Sequence, residues 1–370
     1  MKIMCVFGTR PEGIKMAPII KAMKKKPNIE TIVCITAQHR QMLDQVLNLF
    51  EIVPDYDLNI FKPGQSLTDI TTKAIIGLEE IIKSEKPDVL LVQGDTTTVF
   101  AGALAAFYQK VKIGHVEAGL RSGNLYSPYP EEANRKLTGV LTDFHFAPTE
   151  RNRQNLLMEN YPDKNIYITG NTVIDALQYA IKDNYIFENS ALNEIDYNNK
   201  RVVLLTSHRN ENIGKPMENI FQAINDIAEK YNDVEIIFPM HLNPKVREIA
   251  YNILGQNTRV HLIDPLDYEP FTNLMARSYI VVTDSGGLQE EAPTIGKPVL
   301  VVREETERPE GIEAGTAKLV GTEYQTVYEN LDLLLKDKTE YEKMAKAVNP
   351  YGDGKASEMI VEILLKEIDN

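Results

Sequence analysis

Cysteine is scarce, positive charge falls short of negative, and no long apolar run occurs; each shortage closes off a class of function. The 370 residues include two cysteines, Cys5 and Cys34. Each lies inside a short apolar run, so two buried thiols in a reducing compartment are expected rather than a disulfide or a metal pair. Lys and Arg number 40 against 53 Asp and Glu, a formal net charge of -13. Nucleic acid and anionic membranes both demand a basic face, so neither is an expected partner. No stretch approaches the ~20 apolar residues of a membrane span, and the opening run is too short for the core of a secretory signal. A cytoplasmic location is the expectation. Several signatures are also missing: G-x-G-x-x-G for a dinucleotide, a Walker loop, H-x-x-x-H or C-x-x-C for zinc, and G-x-S-x-G for a serine nucleophile. No cofactor and no metal are therefore expected.

What remains is the pattern of an α/β enzyme. Short apolar runs alternate with amphipathic segments, as in βα units feeding a parallel sheet. Strands are expected at 2–7, 31–36, 88–93, 112–116, 144–148 and 166–169, and the pattern restarts at 201–206, 234–239, 259–263, 279–283, 299–302 and 318–320. Between the halves, 182–200 is polar and rich in Asn and Asp. The expectation is two Rossmann-like doubly wound domains facing a cleft, one over 1–170, one over 171–352, and a C-terminal helix over 353–370 that can pack back on the first. In such domains ligands meet the carboxyl ends of the strands, so site residues are expected there.

The run Thr283-Asp284-Ser285-Gly286-Gly287 reads as a buried strand turning into a helix, with Ser285 expected as its N-cap and the glycines letting a phosphate approach the backbone. Glu291 follows near enough to accept from sugar hydroxyls of the same ligand. The first strand ends in Gly8-Thr9-Arg10-Pro11-Glu12-Gly13-Ile14-Lys15, where Arg10 and Lys15 could meet a diphosphate. Asp95, Glu117 and Glu131 follow later strand ends, giving three carboxylates at one edge of one domain. Asp95 could simply cap the next helix, and Glu131 could be an ordinary helix-start acid. Together they suit general acid and base work, since crowded carboxylates raise one another's pKa. His208 and His241 each follow a strand of the second half and could hold phosphate or carry a proton. The charged segment 303–316 reads as an active-site loop, and Phe271 could stack a base, although core packing is the commoner fate of such a residue.

Taken in order, Gly8-Thr9-Arg10-Pro11-Glu12, Gln93-Gly94-Asp95, His115-Val116-Glu117-Ala118-Gly119-Leu120-Arg121, Pro130-Glu131-Glu132-Ala133-Asn134-Arg135, His208-Arg209-Asn210-Glu211-Asn212, Thr283-Asp284-Ser285-Gly286-Gly287 and Thr306-Glu307-Arg308-Pro309-Glu310 resemble the non-hydrolysing UDP-N-acetylglucosamine 2-epimerases. The resemblance runs from residue 2 to the C-terminal helix. It implies the glycosyltransferase-B architecture, a homodimer, and reversible conversion of UDP-GlcNAc to UDP-ManNAc through elimination of UDP to 2-acetamidoglucal and readdition. It implies Asp95, Glu117 and Glu131 as acid and base groups, with His208 at the phosphates or sharing proton transfer. Arg10, Lys15, Arg135, Ser285, Gly286 and Arg308 would hold phosphate or sugar, Glu291 the ribose and Phe271 the uracil. A second, activating UDP-GlcNAc would meet Gln38, His39, Gln41, Arg209, Glu211 and His241. Where some relatives carry an Arg, this chain has Gly64, a loss that would weaken or alter activation. A hydrolysing epimerase, a retaining glycosyltransferase of the same architecture and a non-catalytic UDP-sugar sensor remain alternatives.

Overall fold

Unbroken apolar runs such as Ile3 to Phe7 and Val202 to Leu205 are fully buried, as strands covered on both faces of a parallel sheet must be. The structure, a computed structural model, describes residues 1–37 and 40–368, with Gln41 described in its backbone alone. By their contacts the residues form two units, Met1–Tyr179 with Tyr351–Asn370, and Ala180–Pro350.

The first unit holds β1 (Lys2–Phe7), β2 (Glu30–Ile35), β3 (Tyr56–Asp57), β4 (Val89–Gln93), β5 (Lys112–Val116), β6 (Phe144–Ala147) and β7 (Ile166–Ile168). All pair in parallel, in the order β3-β2-β1-β4-β5-β6-β7. The second unit holds β8 (Arg201–Thr206), β9 (Val234–Pro239), β10 (Val260–Ile263), β11 (Ile280–Thr283), β12 (Val299–Val301) and β13 (Ala317–Leu319), in the order β10-β9-β8-β11-β12-β13. Each is the Rossmann-like doubly wound sheet from which the glycosyltransferase-B architecture is built. The one strand unforeseen in the sequence is β3, an edge of two residues paired with Cys34 and Ile35; it is too short to show an apolar period.

Topology fixes where a ligand belongs. The strand order reverses between β1 and β4 in the first unit and between β8 and β11 in the second. At such a switch point successive helices leave on opposite faces, and a crevice opens at the carboxyl ends of the two strands. The loops there begin at Gly8 and Gly94 in one unit and at Ser207 and Asp284 in the other.

The C-terminal segment completes the first unit. Helix Ala356–Ile368 packs on helix Arg10–Lys24. Buried Asp175 accepts the Ala356 and Ser357 N–H groups at 3.3 and 2.7 Å, so a side chain from helix Thr172–Ala180 satisfies the start of the last helix. The second unit has its own core, in which Met217, Ile220, Phe221 and Ile224 of helix Lys215–Lys230 meet Val203, Leu205 and Phe238 of the sheet.

Candidate active site

In the first unit the site is built around Glu12, a carboxylate only 2% exposed. It accepts the Gly8 and Thr9 N–H groups at 3.0 and 2.7 Å, the Thr9 hydroxyl at 2.7 Å, and on its other oxygen the Thr96 hydroxyl at 2.6 Å. One buried group thereby ties the turn after β1 to the turn after β4. Burial raises its pKa above the ordinary value, and the donors from Thr96, Thr9 and Gly8 pull against that.

Glu117 follows β5 with a φ of +65°, a left-handed conformation that a glutamate adopts at a cost of order 1 kcal/mol or more. The surroundings hold it there. Lys15 Nζ donates to both carboxylate oxygens at 2.6 and 2.7 Å, Asn171 Nδ2 to Oε1 at 2.9 Å, and Gln93 Nε2 to Oε2. The side chain is 9% exposed. Two residues on, Gly119 has a φ of +92°, and a Cβ there would lie 2.3 Å from the Asn152 carbonyl, so only glycine lets the chain turn away.

Asp95 does not cap the following helix; Thr96 does, accepting from the Val99 N–H. The Asp95 carboxylate is left for Arg135, whose Nη2 and Nε donate to one oxygen at 2.7 and 3.0 Å. The same guanidinium reaches buried Glu132 at 3.0 Å. Burial alone would raise the Glu132 pKa, but the Ser122 N–H, Arg135 and the Gly123 N–H outweigh it and hold the carboxyl below its ordinary range. Glu131 opens helix Glu131–Leu141, and its Oε2 is buried with no hydrogen-bond partner among the described residues. Arg10, the first residue of its helix, makes no ion pair among the described residues. Of the cations that the sequence points towards phosphate, Arg10 is thus unspent, whereas Lys15 and Arg135 are engaged with Glu117 and Asp95.

In the second unit the centre is Asp284, fully buried at the end of β11. Its Oδ2 takes the His208 and Arg209 N–H groups at 2.8 and 2.9 Å, the Ser207 hydroxyl at 3.2 Å and Asn212 Nδ2 at 3.4 Å. Its Oδ1 lies 2.9 Å from His208 Nδ1, an ion-pair contact set somewhat off the hydrogen-bond line. Burial pushes the Asp284 carboxyl up, but the His208 ring and the backbone donors of Arg209 and His208 prevail and hold it below 3.8.

The expected cap at Ser285 is corrected by the structure. Helix Leu288–Thr294 begins after Gly287, and no side chain caps it. Ser285 instead donates its N–H to the Thr283 hydroxyl at 2.9 Å, because the turn spends three residues before helical bonding starts. Glu291 folds back over that turn: a Cβ at Gly287 would lie 3.4 Å from its Oε1. Phe271 is half-buried in the first turn of helix Tyr268–Arg277. Arg308 pairs with buried Glu290, and its N–H is held by the Thr306 hydroxyl. Arg209, Glu211 and His241 cluster near His208: the His241 ring stacks on the His208 ring at 5.9 Å, Arg209 donates to the Asp284 carbonyl at 3.3 Å, and Glu211 lies 3.8 Å from Arg303. Gln38 and His39 lie outside the described residues, and the side chain of Gln41 is likewise undescribed.

Sequence reasoning passed over Glu12, Gln93, Glu132, Asn171 and Asp284 as functional. The signal was present for Gln93, a polar residue ending an apolar strand, and for Asp284, an acid directly after one. Nothing local marks Asn171, which reaches Glu117 from 54 residues away.

A family model described as UDP-N-acetylglucosamine 2-epimerase matches residues 21–365. A Bacillus subtilis protein of that description is 55% identical over 365 residues, spanning 99% of this chain and 95% of its own length. One from Escherichia coli K12 is 55% identical over 370 residues, covering 98% of each. The solved structure of UDP-GlcNAc 2-epimerase from Neisseria meningitidis bound to UDP-GlcNAc superposes with a TM-score of 0.87 at 54% identity, covering 99% of this chain and 100% of that one.

Proposed function

Since this chain belongs to the UDP-N-acetylglucosamine 2-epimerase family, we propose that it interconverts UDP-GlcNAc and UDP-ManNAc without hydrolysis, by eliminating UDP to 2-acetamidoglucal and adding it back. The C2 hydrogen of the sugar has no adjacent carbonyl, so a side-chain base alone cannot remove it at a useful rate. Departure of UDP from C1 changes that: positive charge developing at C1 acidifies the C2 hydrogen, and a base takes it as the double bond forms. Readdition of UDP to C1 with protonation of C2 from the opposite face gives the epimer. The reaction thus needs groups that handle one proton on either face, and a firm hold on UDP throughout.

The observation that carries this reading is the Glu117 carboxylate, held in strained backbone at a strand end by Lys15, Gln93 and Asn171. Fixed geometry of that kind is what proton transfer in a transition state demands, each well-placed group giving about 10²–10⁴-fold. We assign Glu117, Asp95 and Glu131 to the proton steps, His208 and Arg10 to the diphosphate, Ser285 and Gly286 to the same anion through backbone, Glu291 to ribose and Phe271 to uracil. Lys15 and Arg135 act through the carboxylates they touch, and Arg308 through Glu290.

A homodimer is supported by exposed apolar side chains on packed neighbouring helices, Phe107 and Tyr108 on Thr97–Tyr108 and Leu137 and Val140 on Glu131–Leu141; sedimentation at the mass of one chain would remove it. The cluster of Arg209, Glu211 and His241 beside His208 supports a second, activating UDP-GlcNAc, which a strictly linear initial response to UDP-GlcNAc would exclude. Two buried free cysteines suit the cytoplasm, where we place the enzyme.

The deciding experiment is incubation with UDP-GlcNAc in deuterated water, followed at C2 by NMR. A mixture of UDP-GlcNAc and UDP-ManNAc carrying deuterium at C2, with little free UDP, is expected. Steady release of UDP and free sugar would make the enzyme a hydrolase, and unexchanged UDP-GlcNAc would make the protein a binder only.

A further inference from the structure

Asp284 takes four donors on one oxygen, yet none of the steps above uses it. We propose that Asp284 is a positioning residue for the epimerisation: it fixes His208 with the proton on Nδ1 facing inward, so that Nε2 is the ring nitrogen offered to substrate.

Ionised, the Asp284 carboxylate only accepts, and with His208 Nδ1 2.9 Å from Oδ1 a proton on that nitrogen is what keeps two lone pairs from facing each other. Protonation there leaves Nε2 to be either a lone pair or, in the imidazolium, a second donor. Either way the ring is defined, and its side chain, 42% exposed, can reach a ligand. The carboxylate itself cannot turn. Its Oδ2 is fixed by the backbone N–H groups of His208 and Arg209 at 2.8 and 2.9 Å, with Ser207 and Asn212 adding to them. The same residue leads directly into Ser285 and Gly286. One buried anion therefore sets both the imidazole after β8 and the turn after β11, across the point where the strand order reverses. A group that merely filled the core would not present a second oxygen to a half-exposed ring. The His241 ring, stacked on the His208 ring at 5.9 Å, restricts His208 further.

Asp284→Asn tests this with almost no change of shape. The amide must keep its oxygen towards the two backbone donors, so its NH2 points at His208 Nδ1 and donates to it. The ring is then forced into the opposite tautomer, with the proton on Nε2. This inference rests on the epimerase reading for its kinetic arm but not for its spectroscopic one. In the wild-type protein carrying ¹⁵N-histidine, at about pH 8 where an ordinary imidazole is neutral, the His208 nitrogen shifts should show a protonated Nδ1, and in Asp284→Asn a protonated Nε2. The variant should lose about 10²-fold or more in kcat and bind UDP more weakly, since the His208 ring it disturbs meets the diphosphate. His208→Ala should lose a similar factor, and the double variant no more than either alone, because residues acting as one unit are not additive. Wild-type shifts showing an unprotonated Nδ1, or losses that multiply in the double variant, would overturn the assignment and leave Asp284 as a brace for the turn. If Asp284→Asn fails to fold, the wild-type spectrum still decides. If the wild-type enzyme exchanges no deuterium into C2, the functional reading fails while the spectrum continues to judge Asp284.

Discussion

The two units share one topology and use it for opposite chemistry. At the switch point of the first, carboxylates are paired with cations: Glu117 with Lys15, and Asp95 and Glu132 with Arg135. At that of the second, the carboxylate is behind and the donors lie in front: Asp284 is fully buried, and the backbone of His208 and Arg209, with the His208 ring, gathers round it. A doubly wound sheet supplies only the crevice. What each crevice can do depends on which sign of charge ends the strands and which sign props it up, and a reaction that must move a proton while gripping a diphosphate calls for one of each.

The sharpest break in that contrast is Glu117→Gln. It keeps the shape, removes the base and leaves Lys15 facing an amide; turnover should fall by about 10²–10⁴-fold with UDP binding by calorimetry nearly intact. Near-normal deuterium exchange in that variant would take Glu117 out of the proton steps. Next in size is Lys15→Met, which separates a cation that props a carboxylate from one that grips phosphate. A lost charge-assisted bond to phosphate would weaken UDP about 10-fold or more, since such bonds are worth about 1.5–3 kcal/mol. The pairing with Glu117 instead predicts a fall of about 10-fold or more in kcat and UDP affinity within a factor of about three. Equal kcat and weakened UDP would return Lys15 to the phosphates.

The smallest effect concerns acid. Burial holds His115 at about 4 and His145 at about 3, both in the first unit and both below the free value of 6.5. From pH 6.5 downward the unfolded chain therefore binds protons that the folded chain refuses. Stability falls as pH falls through that window, by about 1.4 kcal/mol per pH unit for each histidine. Glu12 and Asp175, raised by burial, titrate in the opposite sense and offset part of it. In the second unit two carboxyls are strongly depressed, Glu307 through its bond to Arg303, and Asp332, where burial pushes up but Lys230 and Tyr231 prevail, each at about 2. Their contribution is present above the ordinary carboxylate range and goes only as pH falls towards 2. His145→Gln should flatten the loss between pH 7 and 5, measured by urea unfolding at each pH. An unchanged slope would mean that His145 titrates normally.

How far the sequence could be read is clearest from single residues. Apolar runs show where strands lie, and a polar residue breaking such a run shows where a strand ends, which is why Asp95, Glu117 and His208 were legible: each stands within three residues of its strand's last residue. The two-residue β3 left no period to read. Ser285 misled because a serine beside two glycines looks like a cap, whereas the actual cap is Gly287. Lys15 and Arg135 read as phosphate ligands and are paired here with Glu117 and Asp95, because a cation near a helix start carries no mark of which anion it meets.

From the chain alone came the α/β class, the repeated alternation of strand and helix, and the set of residues able to do the chemistry, because these depend on hydrophobic period and on side-chain type, both local properties. Tertiary structure alone decided which charge answers which. Asn171 finds Glu117 across 54 positions and Asp284 finds His208 across 76, since parallel crossovers bring strand ends together without regard to sequence distance, and only there do hydrogen-bond geometry and burial choose the partner.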